Sequence, residues 1–106
     1  MTARTTKKKS SKTQAQILRE RISSRDAHIG VVGLGYVGLP LAVEFAQAGF
    51  RVTGIDINRE RVAGLLAGRS HVEDISSSVL APLVRSGLLG AQDHYRGCGR
   101  FDAILI

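Results

Sequence analysis

The stretch Ile29-Gly30-Val31-Val32-Gly33-Leu34-Gly35-Tyr36-Val37-Gly38-Leu39-Pro40-Leu41-Ala42 decides the fold. A short apolar run of the kind that forms a buried strand breaks into Gly33-x-Gly35-x-x-Gly38, and an apolar helical pattern begins at once. Strand before and helix after is the context that a dinucleotide-binding turn requires. Each glycine has its own task there. Gly33 permits a tight turn. Gly35, lacking a Cβ, lets the backbone approach a pyrophosphate. Gly38 lets the helix lie close to the strand. The phosphates would rest on unpaired N–H groups at the positive end of that helix. Glycine-rich turns are common, so the triplet alone is weak evidence, and a plain strand-to-helix turn is the alternative.

Further along, Arg51-Val52-Thr53-Gly54-Ile55-Asp56 reads as a strand rich in β-branched residues that ends in a carboxylate. Asp56 stands 18 residues past Gly38, near the spacing of about 20 expected of the acid that accepts the ribose hydroxyls. A carboxylate there favours NAD, because it repels a 2′-phosphate. Arg59 and Arg61 follow closely and offer the opposite possibility, a seat for such a phosphate. The structural alternative for Asp56 is a helix N-cap or a solvated strand end.

Around this unit the periodicities predict, in order, a helix over about 14–24 capped by Thr13, a strand over 27–32, and a helix opening at Tyr36 or Val37. Leu41, Ala42, Phe45 and Ala46 form the sheet-facing stripe of that second helix, which Gly49 ends. A strand over 50–56 follows, then a helix capped by Asn58 and running to Ala67 with Val62, Leu65 and Leu66 inward. After Gly68 and a polar connection over 69–74, Ser76, Ser77 and Ser78 cap a helix carrying Val79, Leu80, Leu83 and Val84, which ends at Gly87. A short strand is expected over 89–92, irregular chain over 93–100 and a buried-type strand over 101–106. The alternation calls for an α/β fold, an incomplete Rossmann-type parallel sheet of about four strands with flanking helices in the order 3-2-1-4. The last strand is an apolar edge, and bare apolar edges lead to the expectation of self-association.

The 106 residues suffice for one small domain. The formal charge of +6 lies in the first 27 residues, where eight Lys and Arg stand against Glu20 and Asp26; the remainder is balanced. The basicity therefore says nothing about the domain. Residues 1–12 are expected to be a disordered basic leader, and 13–106 the N-terminal part of a dinucleotide-binding domain, cut before the substrate domain. Lys7-Lys8-Lys9 is too short, and too poor in aromatic neighbours, to claim nucleic acid. No apolar run reaches membrane-spanning length, and no apolar segment follows the basic start as in a secretory signal. The single cysteine excludes a disulfide framework within the chain and makes a reducing cytoplasm the expected location.

The stretch "IGVVGLGYVGLPLAVEFAQAGFRVTGIDIN" resembles the N-terminal NAD-binding domain of the UDP-glucose/GDP-mannose dehydrogenase family. Within the family it is most similar to the UDP-N-acetylglucosamine and UDP-N-acetylmannosamine 6-dehydrogenases. The continuation Tyr36-Val37-Gly38-Leu39-Pro40-Leu41-Ala42 is far more specific than the glycine triplet. The resemblance covers about residues 14–106 and includes "GRSHVEDI", "LVRSGLL" and "FDAILI". It implies that Gly33, Gly35, Tyr36, Val37 and Gly38 line the pyrophosphate and that Asp56 and Arg61 hold the adenosine ribose. It implies NAD as cofactor and a UDP-sugar as substrate of the full-length enzyme, whose C6 alcohol becomes a carboxylate through a cysteine-bound intermediate. The catalytic residues of the family lie in segments beyond position 106. The chain is therefore expected to be the cofactor-binding portion of such an enzyme, inactive by itself. A stand-alone NAD-binding module and an interaction protein working through the basic leader are the competing functions.

Cys98 does not match the family's nucleophile. Its surroundings, "RGCGRF", depart from the usual acidic, alanine-rich approach to the next strand, and no base partner is in view. His28, His71 and His94 have no metal-pair spacing, and the surface reading is the default for each. His71 approaches substrate or cofactor only by analogy. Glu73 and Asp74 are adjacent, and adjacent carboxylates seldom converge on one reacting bond, so a solvated turn is expected. No catalytic residue and no metal ligand is assigned within the chain.

Overall fold

The computed structural model describes residues 13–24 and 26–106, so the expected leader lies outside the described residues. Helix α1 spans Gln14–Ser24. Thr13 begins it as a reciprocal cap: the Gln16 N–H donates to Thr13 Oγ1 at 3.1 Å, and the Thr13 N–H donates back to Gln16 Oε1 at 2.9 Å. Strand β1 covers His28–Val32, α2 Gly38–Gln47 and β2 Arg51–Ile55. Helices α3, Arg59–Leu66, and α4, Ser77–Arg85, follow, then β3, Leu89–Gln92. A 3₁₀ turn at Cys98–Arg100 precedes β4, Ala103–Leu105.

The four strands form one parallel sheet in the order β3-β2-β1-β4. This is the α/β topology that the strand–helix alternation calls for. Ile29 pairs with Val52 on one side and Ala103 on the other. β1 is thus an inner strand, and its apolar sequence matches the burial that inner parallel strands require. Helices α2, α3 and α4 pack on one another and on the first three strands. The core between them is built from Val31, Leu34, Leu39, Val52, Leu65, Leu80 and Leu89, all essentially inaccessible.

Several expectations are corrected in detail. The buried stripe of α2 is Leu39, Ala42, Val43 and Ala46, whereas Leu41 and Phe45 are only half-buried. The helix starts at Gly38, with Val37 as its cap residue, rather than at Tyr36 or Val37. Leu66 is half exposed at the end of α3 rather than inward, and Val79 is likewise exposed. Ser76 occupies the cap position of α4, but its hydroxyl bonds the Ser78 hydroxyl at 2.9 Å instead of a backbone N–H. β4 is shorter than expected and half-buried, as befits an edge. Gly49, Gly68 and Gly87 end their helices with φ of 101°, 78° and 84°.

Candidate cofactor site

β1 delivers the chain to Gly33, which turns at φ 89°. The Gly33 N–H donates to the Ile55 carbonyl at 2.8 Å, so the turn begins pinned to the end of β2. Leu34 follows, fully buried. Its side chain lies flat on Gly54, where a Cβ would come within 2.5 Å of Leu34 Cδ2. Gly54 is a determinant that the sequence reading missed. A glycine inside a strand of β-branched residues was the available signal, since such a position marks a close approach.

Gly35 is different. A Cβ there would meet nothing nearer than Arg61 Nη1 at 3.9 Å, so the space above it is open. Among the described residues, the N–H groups of Gly35, Tyr36, Val37 and Gly38 have no protein acceptor, and they stand at the positive end of α2. The Tyr36 and Val37 side chains are exposed. Gly38 is required for another reason than helix-to-strand packing. A Cβ there would fall 1.6 Å from the Gly33 carbonyl oxygen, while Val31 Cγ1 lies at an ordinary 3.6 Å. The turn folds back on itself, and the glycine is the point of closure.

Asp56, just past β2, is the buried charged residue of the described chain, 8% exposed. Burying a carboxylate costs several kcal/mol unless donors replace the lost water, and three do. The Leu34 N–H donates to Oδ2 at 2.8 Å, the Asn58 N–H to Oδ1 at 2.8 Å, and Arg61 Nη1 to Oδ2 at 3.4 Å. Burial raises its pKa, but the Asn58 and Leu34 N–H groups and the Arg61 guanidinium outweigh that, and the net value lies below the ordinary aspartate range. Asp56 is therefore neither a solvated strand end nor a helix cap. The cap of α3 is Asn58, whose Oδ1 accepts from the Glu60 and Arg61 N–H groups at 3.0 and 3.1 Å. A carboxylate offers about four acceptor directions, and three donors leave Asp56 able to take one more, from outside.

Both neighbouring arginines are engaged. Arg61 leans on Asp56, and Arg59 Nε pairs with Asp93 Oδ2 at 3.3 Å. Asp93 follows β3, beside Asp56, whose N–H donates to the Gln92 carbonyl at 3.1 Å. Ile57 stands exposed at the same rim. The structure thus brings Gly33, Gly35, Tyr36, Val37, Gly38, Asp56 and Arg61 to one end of the sheet. Open space over Gly35, unpaired N–H groups at a helix start, and a deprotonated carboxylate with spare acceptor capacity all fit a dinucleotide.

The residue range 27–106 matches the sequence profile of the UDP-glucose/GDP-mannose dehydrogenase family, NAD binding domain. The chain belongs to this family. UDP-N-acetyl-D-mannosamine dehydrogenase of Escherichia coli (strain K12) is 44% identical over 66 residues, which is 61% of this chain and 16% of that protein. UDP-N-acetyl-D-glucosamine 6-dehydrogenase of Pseudomonas aeruginosa is 46% identical over 56 residues, 53% of this chain and 13% of that protein. Among solved structures, a ternary complex of GDP-mannose dehydrogenase from Pseudomonas aeruginosa superposes with a TM-score of 0.67 at 26% identity, covering 74% of this chain and 19% of that one. The chain therefore spans less than a fifth of these members of the UDP-glucose/GDP-mannose dehydrogenase family, and the part it spans carries their NAD-binding fold.

The remaining candidates fall elsewhere. His28 lies at the opposite end of β1. Its Nε2 contacts Thr53 Oγ1 at 2.9 Å, and its ring meets Phe101 edge-on at 4.7 Å. His94 accepts from the Arg96 N–H in a surface turn held by Gln92. Cys98 is a free, half-buried thiol at the 3₁₀ turn. Glu73 and Asp74 are exposed. His71 does reach the site, through its Nε2, which donates to the Leu34 carbonyl. Among the described residues no three His, Cys, Asp or Glu side chains cluster as a metal site, and no helix is long and apolar enough to cross a membrane.

Proposed function

We propose that this chain holds NAD for a nucleotide-sugar 6-dehydrogenase that oxidises the C6 alcohol of a UDP-N-acetylhexosamine or of UDP-glucose to a carboxylate. Gly33, Gly35, Tyr36, Val37 and Gly38 receive the pyrophosphate, and Asp56 with Arg61 receives the adenosine ribose. NAD, when bound, supplies the hydride acceptor; this chain binds and orients it and contributes no catalytic side chain. The observation that carries the reading is Asp56: buried, deprotonated, satisfied by three donors and still able to accept a ribose hydroxyl. The pairing of Arg59 with Asp93 and Arg61 with Asp56 supports NAD over NADP, because neither guanidinium is left without a carboxylate. The dehydrogenase names of the relatives support the nucleotide-sugar activity of the whole enzyme, and we infer a place in polysaccharide biosynthesis in the cytoplasm. We infer also that residues 13–106 belong to one dinucleotide-binding domain, and that Ile104 in the edge strand β4 and Ile106 just after it, both exposed, drive self-association.

Calorimetric titration of the chain with NAD and NADP tests the reading. NAD is expected to bind more tightly. Tighter binding of NADP would remove Asp56 from the ribose and hand the 2′-phosphate to Arg59 and Arg61.

A further inference from the structure

The segment between α3 and α4 does more than connect two helices. Its backbone is fixed on both sides of His71. The Ser70 N–H donates to Ser77 Oγ at 3.0 Å, and Ser70 Oγ donates to the Val72 carbonyl at 2.9 Å. Val72 is buried, and the Ile75 N–H closes a turn onto its carbonyl at 3.0 Å. From this anchored position the His71 ring reaches across 37 residues of sequence to the Leu34 carbonyl. A carbonyl only accepts, so Nε2 carries the proton.

Leu34 is thereby clamped on three sides. Its N–H is held by Asp56, its side chain by Gly54 and its carbonyl by His71. The peptide unit linking Leu34 to Gly35 is trans, so its C=O and N–H point in opposite directions. Holding the carbonyl toward His71 turns the Gly35 N–H the other way. That N–H has no protein acceptor among the described residues. A donor on the carbonyl also polarises the peptide and strengthens its N–H as a donor.

We propose that His71 is a positioning residue for the cofactor turn: by hydrogen-bonding the Leu34 carbonyl it orients the Gly35 N–H toward the pyrophosphate. This rests on the reading of the turn as an NAD site. It assigns to the "GRSHVEDI" segment a task in cofactor binding carried out without touching the cofactor.

The test compares His71→Ala with His71→Gln in the whole chain, since a glutamine amide nitrogen can take the place of Nε2. In ¹H–¹⁵N spectra without ligand, the Gly35 amide resonance should move in the alanine variant and return toward its original position in the glutamine variant. With NAD, the alanine variant should bind roughly three- to tenfold more weakly, the worth of one hydrogen bond, and the glutamine variant should come within about twofold of the original chain. Far-UV circular dichroism establishes that both are folded. A Gly35 amide indifferent to His71, or equal loss of affinity in both variants, overturns the inference and leaves the NAD site standing. Failure of the unsubstituted chain to bind NAD overturns both.

Discussion

Asp56 is held ionised by its neighbours, and this fixes how the protein responds to acid. Its folded pKa is depressed, because the Asn58 and Leu34 N–H groups and Arg61 outweigh the cost of burial. The stability it contributes is therefore present above the ordinary aspartate pKa of about 4 and is lost as pH falls through the lower folded value. His28 acts in the same direction at higher pH. Burial, then the charges of Arg51 and Arg100, depress its pKa against the opposing pull of Asp102. A histidine that resists protonation in the fold contributes stability that is complete above the ordinary value of about 6.5 and is lost on acidification below it. Melting temperature plotted against pH should fall in two stages. His28→Gln should flatten the stage below about 6.5, and Asp56→Asn the stage below about 4. A melting temperature that rises on acidification from neutrality would contradict the His28 assignment.

At the level of the strand–turn–helix element, the three fingerprint glycines are unequal. Gly35→Ala enters open space at a backbone angle that is not left-handed. It should leave stability unchanged or raise it by about 0.5 kcal/mol through the unfolded chain, while Gly35→Val should block cofactor binding and preserve helix content. Gly38→Ala must force the turn apart, because its Cβ would overlap the Gly33 carbonyl oxygen; a loss of about 3 kcal/mol is expected, read by urea unfolding. Equal stability in the two alanine variants would show that the turn relaxes freely. The glycine spacing, the following proline and the acid at the end of β2 were all legible in the sequence, because each answers a local demand of the backbone. The buried stripe of α2 was not, since Leu39 and Leu41 are equally apolar and the packing of the helix on the sheet and on α4 decides which is buried. Nor were the contacts of Leu34 with Gly54 and His71, which join residues remote in sequence.

For the molecule as a whole, the alternation of strands and helices was enough to give the parallel order β3-β2-β1-β4, because crossover rules leave few other arrangements. The shortness of β4 was hidden, since an apolar run does not say how many of its residues find a partner. Native-state hydrogen exchange should rank the strands by their neighbours. β1 and β2, paired on both sides, should exchange slowest, and Ala103–Leu105 fastest. The same order has a temporal consequence. β1, β2 and β3 come from adjacent segments, whereas the contact of the His28 N–H with the Asp102 carboxylate joins groups 74 residues apart. Closing so long a loop is the slowest kind of step in assembling a sheet. The glycine turn, Asp56 and His71 all lie within the segments that gather first, so the fingerprint takes shape before the sheet receives its fourth strand. Phe101, whose ring lies against Gly30 and His28, reports on that late arrival: Phe101→Ala should hasten unfolding in a stopped-flow experiment and leave the refolding rate almost untouched.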